Sequence, residues 1–187
     1  MARRNDKRDR LVEAADQLFH QQGVSTTTLA NIATLADVPL GNVYYYFKSK
    51  DSIILAVVDR RKRKLNNLFG EWATQPDVKS RLQALIDYMV SIGEESAKFG
   101  DALGSLCQEL GKQGGAIAQS AADLMNEIIH WCERQFKALG KSEEESSKLA
   151  LNMVSSLQGI SLITLAFKDP QFVNRQGQFL SQWVQSL

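Results

Sequence analysis

The sequence predicts an all-α protein, and three observations support that fold class. Its long apolar segments repeat at the spacing of an α-helix and do not alternate as in a β-strand. Only 3 of the 187 residues are proline, and 44% are hydrophobic, which is enough for a packed core. Cap residues such as Ser142 and Asp169 precede several of the apolar segments. We expect about nine helices.

The first 50 residues predict three of these helices. In the first, residues 7–22, the apolar side chains form one stripe: Leu11, Ala14, Ala15, Leu18 and Phe19. The second covers residues 28–36 and the third residues 40–47, with Pro39 at the turn between them. Two short helices around a tight turn are typical of a helix-turn-helix, and Ala33 is small enough for such helices to cross closely.

The rest of the chain predicts six further helices in two regions. The fourth helix, residues 50–72, joins an N-terminal domain, residues 1–50, to a C-terminal domain, residues 73–187. A glycine-rich segment predicts one short helix near residues 103–110. The capping box of Ser142 and Glu145 opens a long helix that reaches residue 167. The other helices begin at Asp77, near residue 116 and at Asp169.

The charge is divided unequally between the two ends of the chain. Residues 1–64 hold 12 Lys and Arg against 7 Asp and Glu, a net charge of +5, whereas residues 65–187 have a net charge of −4. A basic surface is what binding to nucleic-acid phosphates requires, although an ordinary solvated surface gives the same count.

Other features of the sequence indicate where the protein acts. We expect no membrane-spanning segment, because no apolar run approaches the length needed to cross a bilayer. The charged N-terminus resembles no signal peptide, so we expect a cytoplasmic protein with no membrane partner. Cys107 and Cys132 are too few and too far apart for a disulfide framework or a metal site, and we expect free thiols.

A pattern of fixed spacings runs through residues 8–58. It consists of Leu11, Ala14, Leu18, Phe19, Gly23, Thr27, Thr28, Ile32, Ala33, Ala36, Asp37, Val38, Gly41, Tyr44, Tyr46, Phe47, Ser49 and Lys50. The pattern resembles the DNA-binding domain of the TetR family of transcriptional regulators. The resemblance implies a homodimer that binds a palindromic double-stranded operator, most often as a repressor, and that a small-molecule inducer releases. The sequence beyond residue 60 is not closely similar to any part of the family.

The resemblance and the residue types together give a set of expected DNA contacts. Thr27 and Thr28 can offer hydroxyls to a phosphate, Gly41 lets the backbone approach the duplex, and Asn42 can read an adenine edge. The full set is Thr27, Thr28, Pro39, Leu40, Gly41, Asn42, Tyr44, Tyr45, Tyr46 and Lys50.

The three consecutive tyrosines cannot all face the core, because successive helical side chains lie about 100° apart. We expect Tyr44 and Phe47 to pack against the first helix, which leaves Tyr45 and Tyr46 for phosphates. In related proteins a histidine often stands where Tyr46 does.

Two further groups of basic residues have alternative interpretations. The run at residues 60–64 looks like a nucleic-acid patch, but its place inside the fourth helix favours a solvated face. The N-terminal Arg3, Arg4, Lys7 and Arg8 are better placed, as an arm in a minor groove or as loose backbone contacts.

The C-terminal region is expected to hold the dimer interface and an inducer pocket. A helix that is apolar around most of its girth is buried on two sides, and in relatives two such helices per subunit form a four-helix bundle. The expected interface residues are Leu149, Met153, Leu157, Ile160, Thr164, Phe172, Phe179 and Trp183. The pocket candidates are Phe99, Cys107, Met125, His130, Trp131, Met153 and Gln158. Cys107, placed near a helix start, is alternatively a redox or electrophile sensor.

Two other functions compete with DNA binding as interpretations of the sequence. An enzyme would need catalytic groups, but the chain has only two histidines, no glycine-rich phosphate loop and no paired Cys and His ligands. We therefore expect no catalysis, no cofactor and no metal. A protein that keeps the fold but only oligomerises is the other alternative. The intact Thr27, Thr28, Gly41, Tyr45 and Lys50 argue against it.

Overall fold

A computed structural model describes residues 2–187 of the chain, with side chains described for residues 6–187. The described residues are all α-helical apart from connecting turns, as the sequence predicts. The ten helices are α1 (Ala2–Gln22), α2 (Leu29–Leu35), α3 (Leu40–Tyr46), α4 (Lys50–Trp72), α5 (Val78–Ser91), α6 (Gly93–Phe99), α7 (Ala102–Gln113), α8 (Gly115–Ala138), α9 (Glu143–Phe167) and α10 (Pro170–Ser186). The glycine-rich segment therefore holds two helices, α6 and α7, where one was expected.

The chain folds into two compact units. The first unit contains residues up to 64 together with residues 105–124, and the second contains residues 65–104 and 125–187. Parts of α7 and α8 thus belong with the N-terminal helices, a grouping that the order of elements along the chain does not reveal. A functional boundary at residues 50–72 remains a prediction.

The core of the first unit follows the predicted apolar spacing. Leu11, Ala15 and Ile32 are completely buried, and Ala33 is 4% exposed where α1 and α2 pack together. A fully apolar inner stripe of this kind is what stabilises helices too short to be stable alone.

Predicted caps form at the starts of α2, α5, α9 and α10. Thr28 and Asn31 form a reciprocal capping box on α2, and Asp77 and Asp169 accept from backbone amides at the starts of α5 and α10. Ser142 accepts from the Glu145 amide, as predicted. The Glu145 carboxylate lies 3.4 Å from Lys141 Nζ, so this side chain forms an ion pair on the helix surface.

The second unit is built around α9 and a cluster of aromatic side chains. Trp131 stacks on Phe69 with ring centroids 5.3 Å apart, and Trp72 lies 5.2 Å from Trp131. Helices α5 and α10 pack closely at Gly177, where an added Cβ atom would come within 2.7 Å of Val90 Cγ2. Only glycine permits that separation of the two helices.

Among the described helices, α9 is long and apolar enough, by length and composition, to cross a membrane. The sequence predicted no such segment, because no apolar run approaches the length needed to cross a bilayer. Several α9 side chains, including Met153 and Val154, are buried in the core of the second unit. This is the position of a core helix in a folded domain.

Candidate nucleic-acid interface

The turn between α2 and α3 is fixed by backbone geometry and by one arginine. Val38 N donates to Ala33 O at 3.0 Å, a bond that closes the end of a helix, and Asp37 adopts a left-handed conformation with φ of 50°. The Arg10 guanidinium donates to Ala36 O, to Asp37 O at 2.8 Å and to Asp37 Oδ2 at 3.2 Å. Sequence reasoning missed Arg10, because nothing in the spacing links it to a turn 26 residues away.

Helix α3 has a buried inner face and an exposed outer face. Val43 and Phe47, one helical turn apart, are 0% and 3% exposed. On the outer face, Leu40, Tyr44 and Tyr45 are 42%, 53% and 56% exposed. Large apolar and aromatic groups are thus held in solvent by a helix whose other side is fixed in the core.

The placement of the three tyrosines corrects the sequence-based expectation. Tyr44 does not pack against α1, since it is more than half exposed. Tyr46 is half-buried instead, because it lies three positions after Val43 and therefore beside the inner face. The Tyr45 and Tyr46 rings make an edge-to-face contact with centroids 5.1 Å apart.

Gly41 and Asn42 lie on α3 as expected, with Gly41 exposed and Asn42 half-buried. A Cβ atom added at Gly41 would meet no other atom within 4 Å. Within the protein itself, the position does not require glycine. Pro39, exposed at the start of α3, is the N-cap residue.

The two threonines before α2 differ in their surroundings. Thr27 is fully buried, and its hydroxyl donates to Gly23 O at 2.7 Å and accepts from Gln22 Nε2 at 3.1 Å. The expectation that the Thr27 hydroxyl contacts a phosphate is therefore corrected, because this side chain holds the loop together. Thr28 is exposed and uses its hydroxyl to cap α2.

Lys50 is half-buried at the start of α4, and its Nζ donates to Ser25 O at 3.3 Å. Glu109 accepts two hydrogen bonds from the same loop, residues 23–27 between α1 and α2. Its Oε2 accepts from Val24 N at 2.6 Å and its Oε1 from Ser25 N at 2.5 Å. Sequence reasoning missed Glu109, which is 84 residues from the nearer of its two partners.

The sequence favoured a solvated face for the basic run at residues 60–64. In the structure, two of its arginines form ion pairs instead. Arg61 donates to Asp16 Oδ1 at 2.6 Å, and its side chain is only 9% exposed. Arg60 pairs with Glu13 at 3.0 Å and with Asp16 at 3.5 Å. These arginines tie α4 to α1, since the two helices present opposite charges to each other.

The expected N-terminal arm is only partly described. The Arg8 guanidinium lies 5.3 Å from the centre of the Phe47 ring, so this arginine covers the back of α3. The side chains of Arg3 and Arg4 lie outside the described residues.

The expected dimer residues fall into two groups. Met153 and Thr164 are completely buried, and Leu157 and Ile160 are each 7% exposed, so these side chains lie mainly within the second unit. The other expected residues, with Ile160 and several further side chains, line a groove between α9 and α10. Its lining is Leu149, Asn152, Ser156, Gly159, Ile160, Ile163, Phe172, Gln176, Phe179, Leu180 and Trp183. The exposed large apolar side chains of these two helices are Leu151, Leu162, Ile163, Phe167 and Phe179.

The expected inducer-pocket residues are divided between the two units. Cys107 belongs to the first unit, whereas Phe99, Met125, His130, Trp131, Met153 and Gln158 belong to the second. His130 is exposed and so does not line a pocket, because its neighbour Trp131 takes the inward direction. Gln158 donates to Asp101 Oδ2 at 3.2 Å.

The two cysteines are free thiols among the described residues, as expected. Cys107 lies in the middle of α7 and not near its start, and its Sγ donates to Ala121 O at 3.2 Å. Burial raises the pKa of the Cys132 thiol to about 12. Within the described side chains, no group of three or more His, Cys, Asp or Glu residues is placed to hold a metal ion.

A short helix with an exposed outer face, fixed behind a tight turn, has the geometry of a helix-turn-helix, the motif with which many DNA-binding proteins enter the major groove. Residues 11–57 match the family model described as bacterial regulatory proteins, tetR family. These residues of the chain are therefore similar in sequence to the DNA-binding domain of the TetR family of transcriptional regulators.

Individual relatives are similar to this chain over part of their length. An uncharacterized HTH-type transcriptional regulator of Xanthobacter autotrophicus, from the dhlA 5' region, is 31% identical over 96 residues, which cover 50% of this chain and 48% of that protein. The HTH-type transcriptional repressor KstR2 of Rhodococcus jostii is 30% identical over 87 residues, 44% of this chain and 41% of its own. The chain thus spans half or less of the length of the curated relatives it matches.

The fold as a whole is similar to that of solved structures. A TetR transcriptional regulator from Chloroflexus aurantiacus superposes with a TM-score of 0.87 over 99% of this chain and 97% of its own, at 18% identity. At that identity the likeness shows the fold alone.

Proposed function

We propose that this protein is a cytoplasmic repressor that binds a palindromic operator as a homodimer and is released by a small-molecule inducer. The observation that carries the proposal is the outer face of α3, where Leu40, Tyr44 and Tyr45 are exposed on a rigidly held helix. A helix-turn-helix places such a helix in the major groove of DNA.

The residue types on α3 suit a division between base and phosphate contacts. Leu40 can contact a thymine methyl group and Asn42 an adenine edge. Tyr44 and Tyr45 can donate their hydroxyls to phosphates. The rim of the proposed DNA contact then contains Pro39, Tyr46 and Thr28. Lys50 has three donors, so the bond to Ser25 O leaves others for a phosphate.

Gly41 offers a test in which protein stability and DNA affinity are expected to change in opposite directions. Alanine is more favourable than glycine within a helix by about 1 kcal/mol, and nothing in the protein lies near the added Cβ. Gly41→Ala should therefore raise the melting temperature of the free protein. It should weaken DNA binding at least tenfold, because the methyl group would separate α3 from the duplex.

Gly70 provides the matched control for this test. It is a glycine on α4 that also has nothing within 4 Å of an added Cβ. Gly70→Ala should stabilise the free protein and leave DNA affinity unchanged. The binding of both variants is measured on the duplex that the wild-type protein selects from a randomised pool. Wild-type affinity in Gly41→Ala would mean that the α3 backbone does not approach DNA.

The groove between α9 and α10 supports the proposed dimer. Its apolar lining is joined by Ser156 and Gly159, which are small enough for a partner helix to approach closely. A two-fold dimer reads two half-sites about 34–36 Å apart, which implies a palindromic operator. Repression is proposed by analogy with KstR2, whose name describes it as a repressor.

The inducer is the part of the proposal that rests most on the resemblance. Two buried polar atoms of the second unit add support, because Gln135 Oε1 and Ser161 Oγ have no hydrogen-bond partner among the described residues. Buried polar atoms normally have one. A compound that releases the selected duplex in a gel-shift screen should bind free protein more tightly than the DNA complex, in a calorimetric titration. Equal affinities would show that it is not an inducer.

A further inference from the structure

Glu109 is placed to control the loop that leads into the helix-turn-helix. The loop, residues 23–27, joins α1 to α2, and the two carboxylate oxygens of Glu109 each accept one of its backbone amides. Both partners belong to the first unit. Because the bonds go to the backbone, they fix the path of the chain and not only a side chain.

The surroundings of the carboxylate are shaped to receive it. Gly23 has a φ of 87°, and a Cβ atom added there would lie 3.0 Å from Glu109 Oε2. Val24 is 2% exposed, so the loop is anchored in the core on its other side. Lys50 Nζ donates to Ser25 O and places a positive charge close to the carboxylate.

The electrostatics of Glu109 agree with this geometry. Partial burial acts to raise its pKa, but hydrogen bonds from Ser25 and Val24 and the charge of Lys50 outweigh burial, so the pKa of Glu109 is lowered. The ionised carboxylate, which has only acceptors, is the form that suits two amide donors.

We propose that Glu109 is a positioning residue for DNA binding, which fixes the entry into α2 and thereby the orientation of the helix-turn-helix, although it does not itself contact DNA. This inference rests on the proposed function. The loop continues directly into Thr28, the N-cap of α2, and α2 is joined to α3 by the turn that Arg10 holds. A change in the path of residues 24–25 therefore moves the start of the first helix of the motif.

Glu109→Gln is the variant that tests the proposal. Glutamine keeps the shape of the side chain but presents an NH2 group where one carboxylate oxygen accepted an amide. In the free protein, hydrogen exchange at the Val24 and Ser25 amides should become at least tenfold faster. Affinity for the duplex selected by the wild-type protein should fall by about tenfold, the order expected for one lost charge-assisted hydrogen bond.

Asp123→Asn is the matched control. Asp123 is an exposed acid of the same unit. Its Oδ1 accepts from Gln119 Nε2, one turn earlier on its own helix, at 2.9 Å. It loses the same charge, and loss of a negative charge should by itself strengthen binding to DNA slightly. A weaker affinity in Glu109→Gln is therefore opposite in sign to the effect of charge alone.

The outcomes separate this inference from the proposed function. Unchanged amide exchange, or DNA affinity equal to that of Asp123→Asn, would overturn the role of Glu109. If the wild-type protein selects no duplex, the proposed function fails, while amide exchange still decides whether Glu109 fixes the loop. If Glu109→Gln does not fold, Glu109→Asp replaces it, because the shorter side chain withdraws both oxygens by one methylene.

Discussion

Residues 1–64 and residues 65–187 of this protein both expose large apolar side chains, but the net charges of these two regions are opposite. Leu40, Tyr44 and Tyr45 lie on α3, within the basic residues 1–64, whose net charge is +5. Leu162 and Phe179 lie within residues 65–187, whose net charge is −4. The same degree of exposure therefore suits different partners. Under the proposed function, a polyanion binds the first surface and a second copy of this chain binds the second.

The two surfaces also differ in how their helices are supported. Helix α3 has seven residues and depends on Val43, Phe47 and the Arg10 contacts for its position. Helix α9 has 25 residues and is a central core element of the second unit. We infer that the proposed DNA binding is sensitive to small changes behind α3, whereas the proposed dimer surface is sensitive mainly to substitutions on its exposed face.

The largest expected effect comes from two leucines five positions apart on α9. Leu157 is 7% exposed and Leu162 is 55% exposed. Leu157→Asp would bury an unpaired charge and should cost the protomer several kcal/mol, about 3–5 by order of magnitude. Leu162→Asp should leave the melting temperature within a few degrees but convert dimers to monomers in sedimentation. A dimeric Leu162→Asp protein would show that the exposed face of α9 around Leu162 is not part of the interface.

The two thiols should differ strongly in reactivity. Only the thiolate reacts, and the pKa of Cys132 is about 12, so little of it is ionised at pH 8. Alkylation of Cys132 in the native protein should be slower than in the unfolded protein by a factor on the order of a thousand. Cys107, which is only half-buried, should react in the native state. Mass spectrometry after timed iodoacetamide labelling measures both, and rapid native labelling of Cys132 would contradict its burial.

A smaller effect should distinguish two of the three tyrosines. Tyr44→Ala removes an exposed side chain, so it should weaken DNA binding by about tenfold and change stability by no more than about 0.5 kcal/mol. Tyr46→Ala removes a half-buried ring and should lower the free energy of unfolding by about 1–3 kcal/mol. Chemical denaturation and gel shifts on the same samples make the comparison. Equal stability losses would mean that both rings pack alike.

The smallest effect concerns pH and the Glu109 contact. Because the folded pKa of Glu109 is lowered, its contribution to stability is present above the unfolded pKa and is lost as the pH falls through the folded value. The difference in melting temperature between wild type and Glu109→Gln should therefore be largest near pH 7 and shrink below pH values of about 4. A difference that grows on acidification would have the wrong sign for an ionised carboxylate.

Much of the fold could be predicted because helical periodicity and caps are local properties. The stripe from Leu11 to Phe19, the caps at Asp77 and Asp169, and the break at Pro39 each depend on residues within one or two turns of each other. For the inner face of α3, the sequence predicted one of the two aromatic side chains correctly. Phe47 was expected to be buried, but the choice between Tyr44 and Tyr46 depends on where Val43 meets the core.

The sequence by itself determined the fold class, the helix-turn-helix and the resemblance to the TetR family, because these are written in short spacings of apolar, small and capping residues. Only the tertiary structure decided which polar groups serve the site. Arg10 reaches a turn 26 residues away, Glu109 binds a loop 84 residues away, and Thr27 turns inward to hold that loop. It also decided that Met153 and Thr164 face their own core, leaving Leu162 outside. Such contacts join residues that are distant in sequence, so no local pattern of spacing or charge records them.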